Sequence, residues 1–161
     1  MICAFSGHRP HKLPWGRDEA DPRCQAVKLM IARRLEEACA LGCRTFLCGM
    51  AQGCDLYFAE AALQLRQSRP ELRLIAVLPW AGQSENWPAA DRQRHRILCD
   101  QCDAREILSE RYSPDCMQNR NRTMIDRAQV LISVYDGSPS GTGSTVRYAK
   151  KLGRTILPVW L

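Results

Sequence analysis

The sequence predicts an α/β protein with a Rossmann-like, three-layer αβα fold around a mostly parallel sheet of about six strands. Strand-like and helix-like segments alternate along the whole chain, which is typical of a parallel sheet covered by helices on both faces. Residues 74–78 are apolar without alternation, as in a strand buried on both faces. Because no linker or repeat interrupts the alternation, we expect residues 1–161 to form a single Rossmann-like domain.

Three strands and two helices are predicted in the first half of the chain. The strands are expected at residues 2–5, 45–48 and 72–78, and the helices at residues 22–41 and 55–67. Asp21 is a good N-cap for the first helix, Pro22 suits its first position, and Gly42 ends it. The apolar residues of this helix recur at helical spacing and predict its buried stripe: Val27, Met30, Ile31, Leu35 and Ala38.

The second half continues the alternation with three more helix–strand pairs. The helices are expected at residues 89–102, 113–127 and 146–152, and the strands at residues 104–108, 129–135 and 155–159. The charged Arg105 and Glu106 inside the fourth strand favour an edge position. This favours the strand order 4-3-2-1-5-6, with the order 3-2-1-4-5-6 as the alternative.

Glycine-containing loops follow the first, second and fifth predicted strands, at residues 6–16, 49–55 and 140–145. A strand–glycine–helix connection directs backbone N–H groups at a phosphate. Gly49 is expected to take the positive φ of a tight turn, and Gly53 to permit a close approach at the helix start. If these strands are neighbours, the loops converge on one crevice; the alternative is that the glycines only form short connections.

The composition indicates which kind of partner and which cellular compartment to expect. The net charge of +6 favours an anionic partner, from a small phosphate compound to nucleic acid. The nine cysteines, an odd number without an export signal, predict reduced thiols and a cytoplasmic location. Cys99 and Cys102 form a lone CxxC, so no metal site is expected. No apolar run reaches the ~20 residues that span a bilayer, so no membrane partner is expected.

Three blocks in this order resemble the SLOG superfamily, which contains the DprA, LOG and YpsA-like proteins. They are the serine-glycine-histidine-arginine-proline loop at residues 6–10, the glycine-rich block at residues 49–55 followed by Ala59, and the segment from Asn121 through the loop at residues 140–145 to Ala149. Together they span nearly the whole chain and are most similar to the bacterial, single-domain YpsA-like branch.

The resemblance implies a crevice that binds a nucleotide or a nucleotide-derived ligand such as ADP-ribose or NAD, with no cofactor required. Phosphate would lie on the N–H groups of residues 141–145, with Arg9 and Arg122 as charge partners. Asn121 would contact a ribose or hold the loop, and Asp55 would either touch the ligand or act as a helix N-cap. The expected ligand-binding residues are Ser6, Gly7, His8, Arg9, Gly49, Gly53, Asp55, Asn121, Arg122, Asp136, Gly141, Thr142, Gly143, Ser144 and Thr145.

Three functions follow from this resemblance. The first is binding or sensing of a nucleotide derivative, favoured because LOG-type phosphoribohydrolases have a glutamate after this loop where residues 146–149 contain no carboxylate. The second is DprA-like binding of single-stranded nucleic acid through arginines in residues 92–96 and 120–127 and through Trp80 and Trp87. The third is hydrolysis of a nucleotide or NAD-like N-glycosidic bond, for which Asp55 and Asp136 are the available acids. The superfamily also implies homo-oligomerisation.

Overall fold

Six parallel strands form one sheet in the order β4-β3-β2-β1-β5-β6. The structure is a computed structural model that describes residues 1–161. The strands are β1 Ile2–Gly7, β2 Thr45–Cys48, β3 Arg73–Leu78, β4 Ala104–Ile107, β5 Val130–Tyr135 and β6 Thr155–Trp160. The predicted α/β Rossmann-like fold and the first of the two strand orders are confirmed, and β4 with Arg105 and Glu106 lies at an edge.

Five helices cover the sheet: α1 Pro22–Ala40, α2 Cys54–Ser68, α3 Ala89–Gln101, α4 Cys116–Arg127 and α5 Gly141–Lys151. The Asp21 side chain caps α1 by accepting from the Arg23 N–H at 2.8 Å, as predicted. Residues Pro10–Lys12 form a short 3-10 turn inside the predicted loop after β1. No helix combines the length and hydropathy that are needed to cross a bilayer.

The start of α5 differs from the prediction. Residues 141–145 were expected to be a loop before a helix at Val146, but they form the first turns of α5. Ser140 is the N-cap, and its Oγ accepts from the Gly143 N–H at 3.0 Å. This cap stabilises helical backbone in a glycine-containing segment whose intrinsic helix propensity is low.

The two faces of the sheet carry separate apolar cores. One core packs against α1, α2 and α3 and includes Phe5 of β1, whose ring stacks on Phe58 of α2 at 4.4 Å. The smaller core packs against α4 and α5 and includes Met124 and Val146. Since side chains alternate along a strand, Ser6 lies on the opposite face from Phe5 and turns toward α4 and α5.

Candidate functional site

A cavity of about 380 Å³ opens at the carboxyl end of β1, between the loop that follows it, the start of α2, and helices α4 and α5. Its principal polar lining residues are Ser6, Gly7, His8, Arg9, His11, Lys12, Asp55, Gln118, Arg120, Asn121, Arg122, Ser140, Gly141, Thr142, Ser144, Thr145 and Tyr148. Because β1 and β5 are neighbours, the loops after these two strands meet here. A cavity at this position is typical of ligand sites in open α/β sheets.

Most of the expected ligand-binding residues therefore line one cavity, but four do not. Gly49, Gly53, Gly143 and Asp136 lie outside its lining. Gly53 is the N-cap residue of α2 with φ 87°, and an added Cβ would lie 2.8 Å from the His8 carbonyl oxygen. Its role is thus to allow close packing between two loops, while Gly143 is buried in the first turn of α5.

The start of α5 presents two backbone donors to the cavity. The N–H of Gly143 is taken by Ser140 Oγ at 3.0 Å and that of Ser144 by the Ser140 carbonyl at 3.0 Å. The N–H groups of Gly141 and Thr142 have no partner within the protein. Unpaired N–H groups and the positive end of the helix dipole together favour an anion at this point.

Exposed cations surround the opening of the cavity. Arg9 and Arg122 are exposed and form no ion pair with a carboxylate. The Arg122 guanidinium lies over the Tyr148 ring, 5.2 Å from its centroid. Lys12 Nζ donates to the Pro139 carbonyl at 3.1 Å, which joins the loop after β1 to the loop before α5.

Arg120 forms part of the deep end of the cavity and is only 3% exposed. Its Nη1 donates to the carbonyls of Gly49 and, at 3.3 Å, Val77, while its Nε donates to Asn121 Oδ1 at 2.8 Å. A Cβ on Gly49 would lie 2.4 Å from Arg120 Nη1. Gly49 does not have the expected positive φ, which in this turn belongs to Met50 and Gly53. The glycine is required because the guanidinium packs against its backbone.

Asp55 is buried beside Arg120 and lines the same cavity. Its Oδ2 accepts from the Ala51 N–H at 3.0 Å, so its carboxylate holds the turn before α2 and is not the N-cap, a position that Gly53 occupies. Burial raises the pKa of the Asp55 carboxyl, and the Arg120 charge and the Ala51 N–H oppose that rise. Burial also lowers the pKa of Arg120, against the effect of Asp55.

Asp136 supports the cavity wall from outside. Its Oδ1 lies 3.1 Å from Nε2 of the buried His8, which does line the cavity. It also accepts from the hydroxyl and the N–H of Ser138, and these contacts, the hydroxyl first, lower the pKa of Asp136. The carboxylate is thus held by residues next to the cavity, which explains why a chemically suitable side chain lies outside the lining.

Residues 3–153 match the sequence profile of the YspA SLOG family. The chain belongs to this family. It is 27% identical over 143 residues to a UPF0398 protein of Bacillus velezensis, covering 88% of this chain and 78% of that protein. A UPF0398 protein of Bacillus cereus strain B4264 is 25% identical over 155 residues, covering 94% of this chain and 84% of that protein. These bacterial relatives confirm the resemblance to the YpsA-like branch.

Two solved structures of DNA processing protein A share the fold. The protein from Streptococcus pneumoniae superposes with a TM-score of 0.62 at 20% identity, covering 98% of this chain and 49% of that one. The protein from Helicobacter pylori, described for its single-stranded DNA binding mode, superposes with a TM-score of 0.63 at 21% identity, covering 98% of this chain and 64% of that one. The YspA SLOG chain thus spans about half and about two thirds of these structures, and the likeness is one of fold.

Sequence reasoning missed several lining residues of this YspA SLOG protein, and it considered Arg120 only among the arginines of a nucleic-acid surface, not as part of the cavity. A signal for it exists in the spacing of α4. Cys116, Arg120 and Met124 lie four residues apart and are all buried, so the arginine shares the inward stripe of the helix. His11, Lys12, Gln118 and Tyr148 also line the cavity, and their loop or helix positions carry no comparable signal.

Some of the side chains expected to bind nucleic acid are already engaged by other side chains of the protein. Arg94 pairs with Glu19 and Glu60, and Arg127 pairs with Glu106. The Trp87 ring contacts His95 edge-on at 5.1 Å between centroids. The nine cysteines are unpaired, and no cluster of three or more His, Cys, Asp or Glu side chains could hold a metal ion.

Proposed function

We propose that this YspA SLOG protein binds a small, phosphate-bearing nucleotide or nucleotide-derived compound in the cavity between β1, α4 and α5. One observation carries the proposal: the unpartnered N–H groups of Gly141 and Thr142 open onto the same cavity as the unpaired Arg9 and Arg122. Helix N-termini and guanidinium groups are the donors that phosphate prefers. The volume of about 380 Å³ lies within the range of roughly 300–1,000 Å³ that is usual for small-molecule sites.

Binding or sensing is favoured over hydrolysis. Asp55 is the one carboxylate that lines the cavity, and it is engaged by the turn before α2. Asp136, the other acid considered for an N-glycosidic hydrolase, lies outside the lining. Glycosidic-bond cleavage generally uses a pair of acid and base groups at the bond, and a single buried carboxyl does not supply both.

A thermal-shift screen followed by titration calorimetry tests this function. The panel contains AMP, ADP, ADP-ribose, NAD, ribose 5-phosphate and pyrophosphate. A compound at ~100 times its dissociation constant adds roughly 2.7 kcal/mol to the free energy of unfolding, which is easily detected. We expect Arg122→Ala to weaken binding about tenfold, whereas Arg96→Ala, an exposed arginine on α3, leaves it unchanged. Absence of binding by every compound would refute the proposal.

Single-stranded nucleic acid is the second candidate. The observation that favours it is the net charge of +6, together with the fold shared with the Helicobacter pylori protein described for single-stranded DNA binding. Single-stranded DNA would contact Arg9 and Arg122 at the cavity opening.

Fluorescence anisotropy with labelled single-stranded DNA at 50 and 200 mM salt distinguishes nucleic-acid binding from binding of a small ligand. Binding to the phosphate backbone weakens steeply with salt through counterion release.

The compartment and the assembly state belong to the same proposal. We infer a cytoplasmic location, which is supported by nine unpaired cysteines, most of them buried. We also infer a homo-oligomer, on the resemblance to the superfamily. Light scattering of the purified protein measures the mass directly, and a mass equal to one 18.3 kDa chain would refute the oligomer.

A further inference from the structure

Arg120 keeps an unused donor group at the deep end of the cavity. Its Nε and Nη1 are engaged by Asn121 and by two main-chain carbonyls, while Nη2 has no hydrogen-bond partner within the protein. The side chain is only 3% exposed and lines the cavity. A guanidinium that is held in place through two of its nitrogens and keeps the third free at a cavity indicates a place for an accepting atom of a bound molecule.

Asp55 and Ser6 line the cavity together with Arg120, and we call these three residues the polar floor. The Asp55 carboxylate receives backbone N–H groups only and forms no ion pair with a lysine or arginine. Ser6 is only 7% exposed and lines the cavity, and its hydroxyl has no hydrogen-bond partner within the protein. Its register neighbour in β5, Ser133, also carries a buried hydroxyl without a partner. The floor thus offers donors and an acceptor side by side.

The chemistry of the floor selects a group that both donates and accepts. A phosphate there would accept from Arg120 but would be repelled by the Asp55 carboxylate. A cation would be attracted by Asp55 but repelled by Arg120. A nucleobase needs an aromatic or apolar face to stack on. The ring of Phe5, which borders the cavity, is already stacked on Phe58 at 4.4 Å, and the ring of Tyr148, also in the lining, already lies against the Arg122 guanidinium at 5.2 Å. A sugar hydroxyl donates to a carboxylate and accepts from a guanidinium.

We infer that the floor is a sugar-hydroxyl subsite, and that the ligand is a ribose-bearing phosphate whose 2′- and 3′-hydroxyls contact Asp55 and Arg120. This inference rests on the proposed function, because the phosphate of the same compound would occupy the start of α5. It adds a discrimination that phosphate binding alone does not give. A compound that lacks one of the hydroxyls leaves buried polar groups unpaired, and sites of this kind reject such compounds strongly.

Matched ribose and deoxyribose pairs test the inference by calorimetry: AMP with 2′-deoxyAMP, ADP with 2′-deoxyADP, and ribose 5-phosphate with 2-deoxyribose 5-phosphate. We expect at least one ribose compound to bind about tenfold or more tighter than its deoxy partner. Equal affinities within every pair, affinities that follow the base and ignore the sugar, or binding of pyrophosphate alone would each overturn the sugar subsite and leave the phosphate site standing. No binding by any compound would instead overturn the proposed function.

Asp55→Asn is the sharpest variant, since an amide oxygen still accepts the Ala51 N–H and the shape is retained. We expect it to reduce the ribose preference to within about twofold without weakening pyrophosphate binding. Ser6→Ala, which removes one hydroxyl and adds no volume, should lower the preference less and is the second variant should Asp55→Asn fail to fold. Asp100→Asn, an exposed acid on α3, is the control. A preference that survives in both floor variants would overturn the inference.

Discussion

Arginines in two regions of the molecule have opposite surroundings. On α3, Arg94 lies 2.6 Å from Glu19 and 2.7 Å from Glu60, and Lys28 supplies a second positive charge to Glu19 at 2.7 Å. Around the cavity, Arg9 and Arg122 have no carboxylate partner. The first arrangement holds the loop after β1 against α2 and α3, whereas the second leaves charge available for a ligand. The lesson is that a basic helix face does not identify a binding surface until its counter-charges are known.

The two regions are joined at one carbonyl. The Gly49 oxygen accepts from Arg120 on the cavity side and, at 2.9 Å, from Gln83 Nε2 on the side of α3. The Gln83 Oε1 in turn lies 3.0 Å from Nε2 of the buried His95. Burial of these polar groups is compatible with a stable fold because each is hydrogen-bonded, so changes within this chain are expected to be costly.

The largest effect is expected from Arg120→Met. The change removes charged donors from two main-chain carbonyls and takes away the positive charge that acts most strongly on the buried Asp55. We expect the free energy of unfolding, measured by urea denaturation at neutral pH, to fall by about 3 kcal/mol. Adding Asp55→Asn should recover part of this loss, and Arg122→Met should stay within about 0.5 kcal/mol of the wild type. A loss below about 1 kcal/mol would contradict the assigned role.

Gly49→Ala should have the next largest effect. The new Cβ would meet Arg120 Nη1 at 2.4 Å and Cζ at 2.5 Å, and the guanidinium is held in place by its carbonyl partners. We expect a loss of about 2 kcal/mol in the same urea experiment, as for overpacked cores. Gly141→Ala is the matched control, because a Cβ there meets nothing within 4 Å. Equal stability of the two variants would show that the contact is unimportant.

Acidification should destabilise the side of α3 through His95. Burial lowers the pKa of His95 from its ordinary 6.5 to about 4, with a smaller effect from Arg105. Between these pKa values the unfolded chain binds more protons than the native one. The contribution of His95 to the free energy of unfolding is therefore fully present above pH 6.5 and is lost as the pH falls to about 4.

The corresponding measurement compares wild type with His95→Gln at pH 7 and at pH 4.5. We expect the wild type to lose about 2 kcal/mol more than the variant across this interval. The difference between the two proteins isolates His95 from the carboxylates that titrate in the same range. Identical pH profiles would mean that His95 is protonated as readily in the native state as in the unfolded state.

The smallest effect is expected for Arg94→Met. The side chain is partly exposed and its ion pairs with Glu19 and Glu60 lie near the surface, where such networks contribute about 1 kcal/mol or less. We expect the loss to shrink at high salt, and ligand affinity to be unchanged. Affinity that falls in Arg94→Met but not in Arg122→Ala would reverse the comparison between the two regions.

The layered fold, the strand order and the family were accessible from the sequence. Unbroken apolar strands such as residues 74–78 require cover on both faces, and the charges at Arg105 and Glu106 place β4 at an edge. The glycine loops also predicted where the cavity would open, since parallel strands bring their carboxyl ends to one side. These features depend on local pattern and on connection rules, which a single sequence expresses directly.

The sequence by itself therefore determined the framework and the location of the cavity, and the tertiary structure decided which side chains reach it. Arg120 and Arg122 differ by two positions on one helix, which turns one inward to the buried floor and leaves the other exposed. Asp136 follows β5 directly but is bound by His8 and Ser138. Partners of this kind come from elements distant in the chain, so spacing along the sequence carries no record of them.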